Sequence, residues 1–150
     1  MIRKIDITNN KIAREVWHIQ IPSYQMEAKL IDCYDIPPLQ DTIETLQKCG
    51  EDFYGYYEHE ELCGTISIKV ENKLIDIHRL MIHPSHFRKG IAMMLLEHVE
   101  NVIENAESII VSTGSKNFPA IHLYERNGFR KTQVTKISDQ LSITSYKKMI

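Results

Sequence analysis

The chain has 150 residues, 43% of them hydrophobic and 25% charged, with a formal net charge of −2. That length suits one domain with a substantial core, and six glycines and five prolines argue against a fibrous repeat or a disordered tail. Slight acidity argues against a dedicated nucleic-acid binder, which needs a basic excess, and no apolar run approaches the roughly 18 residues of a membrane span.

Arg3, Lys4 and Asp6 open the chain with no apolar segment behind them, so no secretory signal is expected. Cys33, Cys49 and Cys63 are odd in number and widely spaced, which predicts reduced thiols in a cytoplasmic protein. His78, His83 and His86 fall close together, but the spacing is not H-E-x-x-H and no cysteine is near in sequence, so no metal is expected. Charge is uneven. Residues 15–61 hold 11 acids and two bases, a local balance of −9, and the remainder carries the compensating excess of bases.

In chain order, Ile2, Ile5 and Ile7 predict a short first strand. Thr8, Asn9 or Asn10 can cap a helix that starts near Lys11 and carries Ile12, Val16 and Ile19. Pro22 interrupts that pattern, and a separate short helix is expected over residues 23–30. Pro37 and Pro38 then open a helix carrying Leu39, Ile43 and Leu46 and ending at Gly50. Strands follow over residues 53–57, 62–70 and 74–82, joined by turns at His59-Glu60 and Glu71-Asn72-Lys73, as an antiparallel meander.

The period then changes. Ile91, Leu95, Val99 and Val102 mark an amphipathic helix over residues 89–105. A buried strand over 108–112 and a helix over 117–126, stopped by Asn127-Gly128, come next. Two strands over 129–137 and 141–149 close the chain as a hairpin.

Two segments carry chemistry. In Phe87-Arg88-Lys89-Gly90-Ile91-Ala92, two bases and a glycine stand at the start of a long helix. Free N–H groups and the positive dipole end there suit phosphate oxygens, and Gly90 removes a side chain where a phosphate would approach. Neither a Walker loop nor a three-glycine dinucleotide fingerprint is present. The second segment is Asn117-Phe118-Pro119-Ala120-Ile121-His122-Leu123-Tyr124-Glu125-Arg126-Asn127-Gly128-Phe129.

Together these segments resemble the GCN5-related N-acetyltransferase (GNAT) family. Its pyrophosphate signature Q/R-x-x-G-x-G/A is matched by residues 87–92 except at Phe87, where Arg88 could stand in. Its signature N-x-x-A-x-x-L-Y-x-x-x-G-F is matched at Asn117, Ala120, Leu123, Tyr124, Gly128 and Phe129. The resemblance implies an α/β (α+β) fold in a single domain over residues 1–150, with a mixed central β-sheet and helices on both faces. It implies acetyl transfer from acetyl-CoA, as cosubstrate, to a primary amine by direct attack; from charge, apolar runs and histidine spacing, no nucleic acid, membrane or metal is expected as a partner.

By the same resemblance, the backbone of Leu80, Met81 and Ile82 holds the thioester carbonyl and the pantetheine arm, while Phe87, Arg88, Lys89, Gly90, Ile91 and Ala92 take the phosphates. Asn117 orders its helix and contacts the cofactor. Tyr124, a phenol protonated at neutral pH, becomes the general acid toward the leaving thiolate. Asp76 stands fourteen residues before Gly90, where histone-type members carry a catalytic Glu, and alternation places His78 on the same strand face. Either is a candidate base. The Glu that N-terminal-amine members carry five residues before the motif Asn is Ser112 here. Trp17, Tyr24 or Tyr34 would line the acceptor site, and the acidic stretch would favour a cationic acceptor. Dimerisation is common in the family, and the final hairpin is where a homodimer contact would form. A catalytically weak acetyl-CoA-binding sensor is the alternative, since it would share the phosphate loop.

Overall fold

The computed structural model describes residues 1–150. Seven strands form one sheet: β1 (Ile2–Ile5), β2 (Asp52–Glu58), β3 (Glu61–Glu71), β4 (Leu74–Ile82), β5 (Ser108–Gly114), β6 (Arg130–Lys136) and β7 (Ser142–Met149), in the order β1-β2-β3-β4-β5-β7-β6. All neighbours are antiparallel except β4 and β5, which run parallel. The helices are α1 (Asn10–Ile31), α2 (Ile43–Gln47), α3 (Ile91–Val102) and α4 (Phe118–Arg126).

The expected meander is present, and its turns have a local cause. His59 and Glu60, then Asn72 and Lys73, all take positive φ, the conformation that lets a two-residue hairpin follow the right-handed twist of its strands. Between them β3 is buried from Leu62 to Ile68, because the sheet is covered on both faces. On one face Ile66, Ile68, Ile75 and Ile77 pack with Leu95 and Val99 of α3 and Tyr124 of α4. On the other, Phe53 and Met81 pack with Ala13, Val16 and Ile19 of α1 and Leu46 of α2. Pleat alternation accounts for the division: Met81 faces α1, while Leu80 and Ile82 pack against the α3 side.

Three helical expectations need correction. The break after Pro22 is absent, and α1 runs unbroken for 22 residues. Proline removes one helical N–H, which would have met the carbonyl of exposed His18. Burial of Ile19 and Gln20 before it, and of Ala28 and Ile31 after it, holds both halves in line. The expected helix over residues 37–50 is instead two short pieces, a 3-10 turn at Pro37–Gln40 and α2. Asp41 and Thr42 are extended between them, and Thr42 starts α2 through a reciprocal capping box with Thr45. The helix after the meander begins at Ile91 rather than 89, with Gly90 as its N-cap at φ 74°.

Gly64 lies where β3, β4 and α3 meet. A Cβ there would stand 2.5 Å from Ile82 Cδ1, 3.1 Å from Ile91 Cγ2 and 3.2 Å from the Met81 carbonyl oxygen. Gly64→Ala is therefore expected to lower the unfolding free energy by about 1–3 kcal/mol in a urea titration. An unchanged midpoint would show that β4 can yield at this point.

Candidate active site

Parallel pairing between β4 and β5 covers only Leu74↔Ser108, Ile75↔Ile109 and Asp76↔Ile110. Beyond that point the strands diverge. The register of β3 against β4 passes from Ser67↔Arg79 to Ile68↔Ile77, which leaves His78 as an unpaired bulge residue just past the last β4–β5 rung. A bulge bends its strand and increases local twist, so β4 turns away from β5 here. A cleft of about 930 Å³ opens between Ile77, Leu80 and Ile82 on one wall and Val111, Ser112 and Thr113 on the other. The N-terminal end of α3 lies at one side of it and α4 at the other.

The divergence leaves β4 without a backbone partner on its β5 side from Ile77 to Ile82. An extended chain can hydrogen-bond to such an edge. At the cleft's α3 end, Gly90 caps the helix with no side-chain hydrogen bond, and the first intrahelical bond runs from the Met94 N–H to the Gly90 carbonyl. The N–H groups of Ile91, Ala92 and Met93 are thus open. A Cβ built on Gly90 meets nothing within 4 Å, so the space above the turn is clear. Arg88 and Gly90 both hold positive φ.

The two bases of this loop are not equivalent. Lys89 Nζ turns to Glu58 Oε2 at 3.3 Å and to His86 Nδ1 at 2.9 Å. Arg88 is exposed and forms no ion pair, so it is the cation available to a ligand. The lysine pair also lowers the Glu58 carboxyl below its ordinary range. Cys63, distant in sequence from the histidines, folds beside this group, and Cys63, Glu58 and His86 bring their ligand atoms within 4.8 Å of one another. The ammonium of Lys89 already neutralises that cluster. All three cysteines are free thiols.

Tyr124 comes from α4 and is 5% exposed, packed against Phe129 and Tyr146 with ring centroids at 5.5 and 6.1 Å. Burial, and then the charge of Glu27, push its phenol above the ordinary value, so it stays protonated. Asn117 caps α4 by accepting from the Ala120 N–H at 3.3 Å. Its Nδ2 donates to Glu27 Oε1 at 2.6 Å and to Thr113 Oγ1 at 3.2 Å. Sequence reasoning passed over Glu27. It lies on a stretch without a readable motif, and only the continuous α1 carries it across the sheet to β5, where Ile31 packs on Gly114.

The structure brings Leu80, Ile82, Phe87 to Ala92, Asn117, His78 and Tyr124 to one cleft. The Met81 side chain points away into the α1 face. Asp76 stands outside the cleft lining, where its Oδ2 meets His78 Nε2 at 3.3 Å; His78 Nδ1 is 3.6 Å from Glu51 Oε2. Ser112 bonds Ser145 at 2.9 Å. Of the three aromatics expected near the acceptor, Tyr24 lines the cleft. Trp17 packs under α2 and donates to the Asp41 carbonyl at 3.0 Å, and Tyr34 is exposed elsewhere.

Most of the acidic stretch is engaged. Arg79 reaches Asp41 Oδ2 at 3.3 Å and Glu51 Oε1 at 3.4 Å, Lys48 pairs with Glu44, and Lys4 with Asp52. Gln20 Nε2 also donates to Asp41 at 2.8 Å. This Arg79 cluster lines a smaller pocket of about 250 Å³ with Pro37, Pro38 and His78.

With this geometry in hand, the comparisons with known proteins identify the class. The chain matches the family described as "Acetyltransferase (GNAT) family" over residues 13–129, and it belongs to that family. It is 37% identical over 146 residues to UPF0157 protein YqkA of Bacillus subtilis (strain 168), covering 97% of this chain but 43% of that relative, so it spans less than half of the relative's length. In fold it is similar to the ribosomal-protein-S18-alanine N-acetyltransferase from Escherichia coli, with TM-score 0.79 and 14% identity over 100% of this chain and 93% of that one. It is also similar to the PaiA N-acetyltransferase from Thermoplasma acidophilum in complex with coenzyme A, with TM-score 0.78 and 19% identity over 100% and 98% of the two chains. No helix is long and apolar enough to cross a membrane.

Arg79 and Glu51 are 13% and 6% exposed at their side chains, so their pair is shielded from water. Removing one partner strands the other charge. Arg79→Met is expected to cost on the order of 3–5 kcal/mol of stability by urea denaturation. A loss below about 1 kcal/mol, the range of surface pairs, would show that water reaches Asp41 and Glu51 freely.

Proposed function

We propose that the chain is an acetyl-CoA-dependent N-acetyltransferase acting on a primary, cationic amine. The observation that carries this reading is the coincidence, in one cleft, of an open helix N-terminus behind Gly90, an unpaired β4 edge and the buried phenol of Tyr124. The residues fit coenzyme A. Phosphates would sit against the N–H groups of Ile91, Ala92 and Met93 with Arg88 beside them, in the clear space over Gly90. The pantetheine amides would pair with the backbone of Leu80, Met81 and Ile82 as an added strand would. Support also comes from the coenzyme A complex of the Thermoplasma acidophilum neighbour.

When bound, the thioester supplies the acetyl group and a thiolate leaving group. What the chain supplies is orientation and protons. Neutral phenol is the acid form required, and burial keeps Tyr124 in it. His78, at the cleft rim between Asp76 and Glu51, is placed to hand protons to solvent. No covalent enzyme intermediate is needed, and no cysteine lines the cleft.

Free thiol released from acetyl-CoA, assayed against spermidine, aminoglycosides, amino acids and lysine or N-terminal peptides, tests the reading. At least one cationic amine is expected to raise release well above the rate without amine. Tyr124→Phe should keep coenzyme A affinity while lowering kcat on the order of 10-fold or more. Tight coenzyme A binding with no amine-stimulated release would instead favour a cofactor sensor.

A further inference from the structure

Glu27 is the sole carboxylate among the residues lining the main cleft, which otherwise carries the cations Arg79, Arg88, Lys89 and Arg126. Its two hydrogen bonds from the protein, Asn117 Nδ2 at 2.6 Å and Thr113 Oγ1 at 3.2 Å, both fall on Oε1. Asn117 is itself immobilised by the Ala120 N–H and Thr113, so the carboxylate is held in one orientation with Oε2 open to a ligand. Tyr24 of α1 and Tyr124 of α4 stand close enough to feel its charge.

We infer that Glu27 receives the ammonium of the acceptor in this cleft and takes its proton, which makes it a catalytic base and restricts the acceptor to amines that arrive protonated. The inference rests on the acetyl-transfer reading above. One proton of the R–NH3⁺ group passes to Glu27. The freed nitrogen lone pair forms the C–N bond at the acetyl carbonyl carbon, and the C–S bond breaks with its electron pair on sulfur. Tyr124 protonates that sulfur and recovers a proton from the acylated nitrogen. The proton on Glu27 then leaves to water, so one acetylated amine, one thiol and one proton are formed.

Burial raises the Glu27 carboxyl above its ordinary value, and the bonds from Asn117 and Thr113 offset this only in part. No charged neighbour is among the causes of that shift: both phenols stay neutral, and Arg79 beside Tyr24 is engaged by Asp41 at 3.3 Å and Glu51 at 3.4 Å. A group raised in this way favours the fold when protonated and loses that contribution as pH rises through its folded pKa. A purely structural tie between α1 and α4 would be served equally well by glutamine, which keeps the shape and an acceptor oxygen.

Glu27→Gln separates the roles, with spermidine, L-lysine and a peptide with a free N-terminus as the amines actually used. The variant is expected to keep acetyl-CoA affinity by calorimetry and to be at least as stable as the parent at neutral pH. Its kcat/KM should fall on the order of 100-fold at pH 7 and recover as pH rises and the amine loses its own proton. Glu27→Asp should be intermediate. Parental turnover and pH profile in Glu27→Gln would overturn the assignment while leaving acetyl transfer intact. Loss of acetyl-CoA affinity or of folding in the variant would make Glu27 a structural tie and also overturn it. If the parent itself binds acetyl-CoA but releases no thiol with any amine, the transfer reading fails and the base falls with it.

Discussion

The site depends on three rungs of parallel pairing between β4 and β5 and on the absence of a fourth. Had the two strands paired along their whole length, the middle of the sheet would be closed, and Val111 and Leu80 would face only core. The bulge at His78 ends the pairing, and α1 braces the opening by packing Ile31 on Gly114 and delivering Glu27 to Asn117 and Thr113. An unsatisfied backbone edge would be costly if sealed from water. Opening toward solvent makes it tolerable, and a ligand with amide groups would satisfy it.

Charge is organised around the same opening. The regional balance of −9 in the sequence is only partly offset in three dimensions: Arg79 sits between Asp41 and Glu51, Lys89 pairs with Glu58, Lys4 with Asp52 and Arg3 with Glu60. In the cleft lining Glu27 is the one acid, and Arg88 and Arg126 are the bases without a carboxylate partner. An anionic ligand at the α3 end and an ammonium near Glu27 would each meet a side chain of opposite charge there.

Much of this was legible in the sequence, for physical reasons. The meander showed itself through aromatic and β-branched strands broken by short polar turns, and α3 through a glycine at the head of an amphipathic period, though two residues early. Asn117, Tyr124 and Gly90 stand in compact local signatures, so their gathering could be foreseen. Pro22 misled because local propensity pointed to a break, while burial on both sides of it prevailed. Asp41-Thr42 contained a capping signal hidden inside an apparently continuous helical pattern. Glu27, Arg79 and the meeting of Cys63 with His86 were beyond reach, because each depends on which helix or hairpin lies across from which strand. The acidic stretch was legible as a count, whereas which of its carboxylates meet a cation and which face the cleft depends on the fold.

The proposed function turns on coenzyme A lying in the gap between β4 and β5 with its phosphates at the start of α3. Amide hydrogen exchange with and without coenzyme A tests it most directly, because it reads the backbone groups that the account invokes. Slower exchange is expected at Leu80, Ile82, Ile91, Ala92 and Met93 on adding the ligand, with the exposed outer strand β6 unchanged. Binding that leaves these amides unaltered, or that protects a different surface, would contradict the placement.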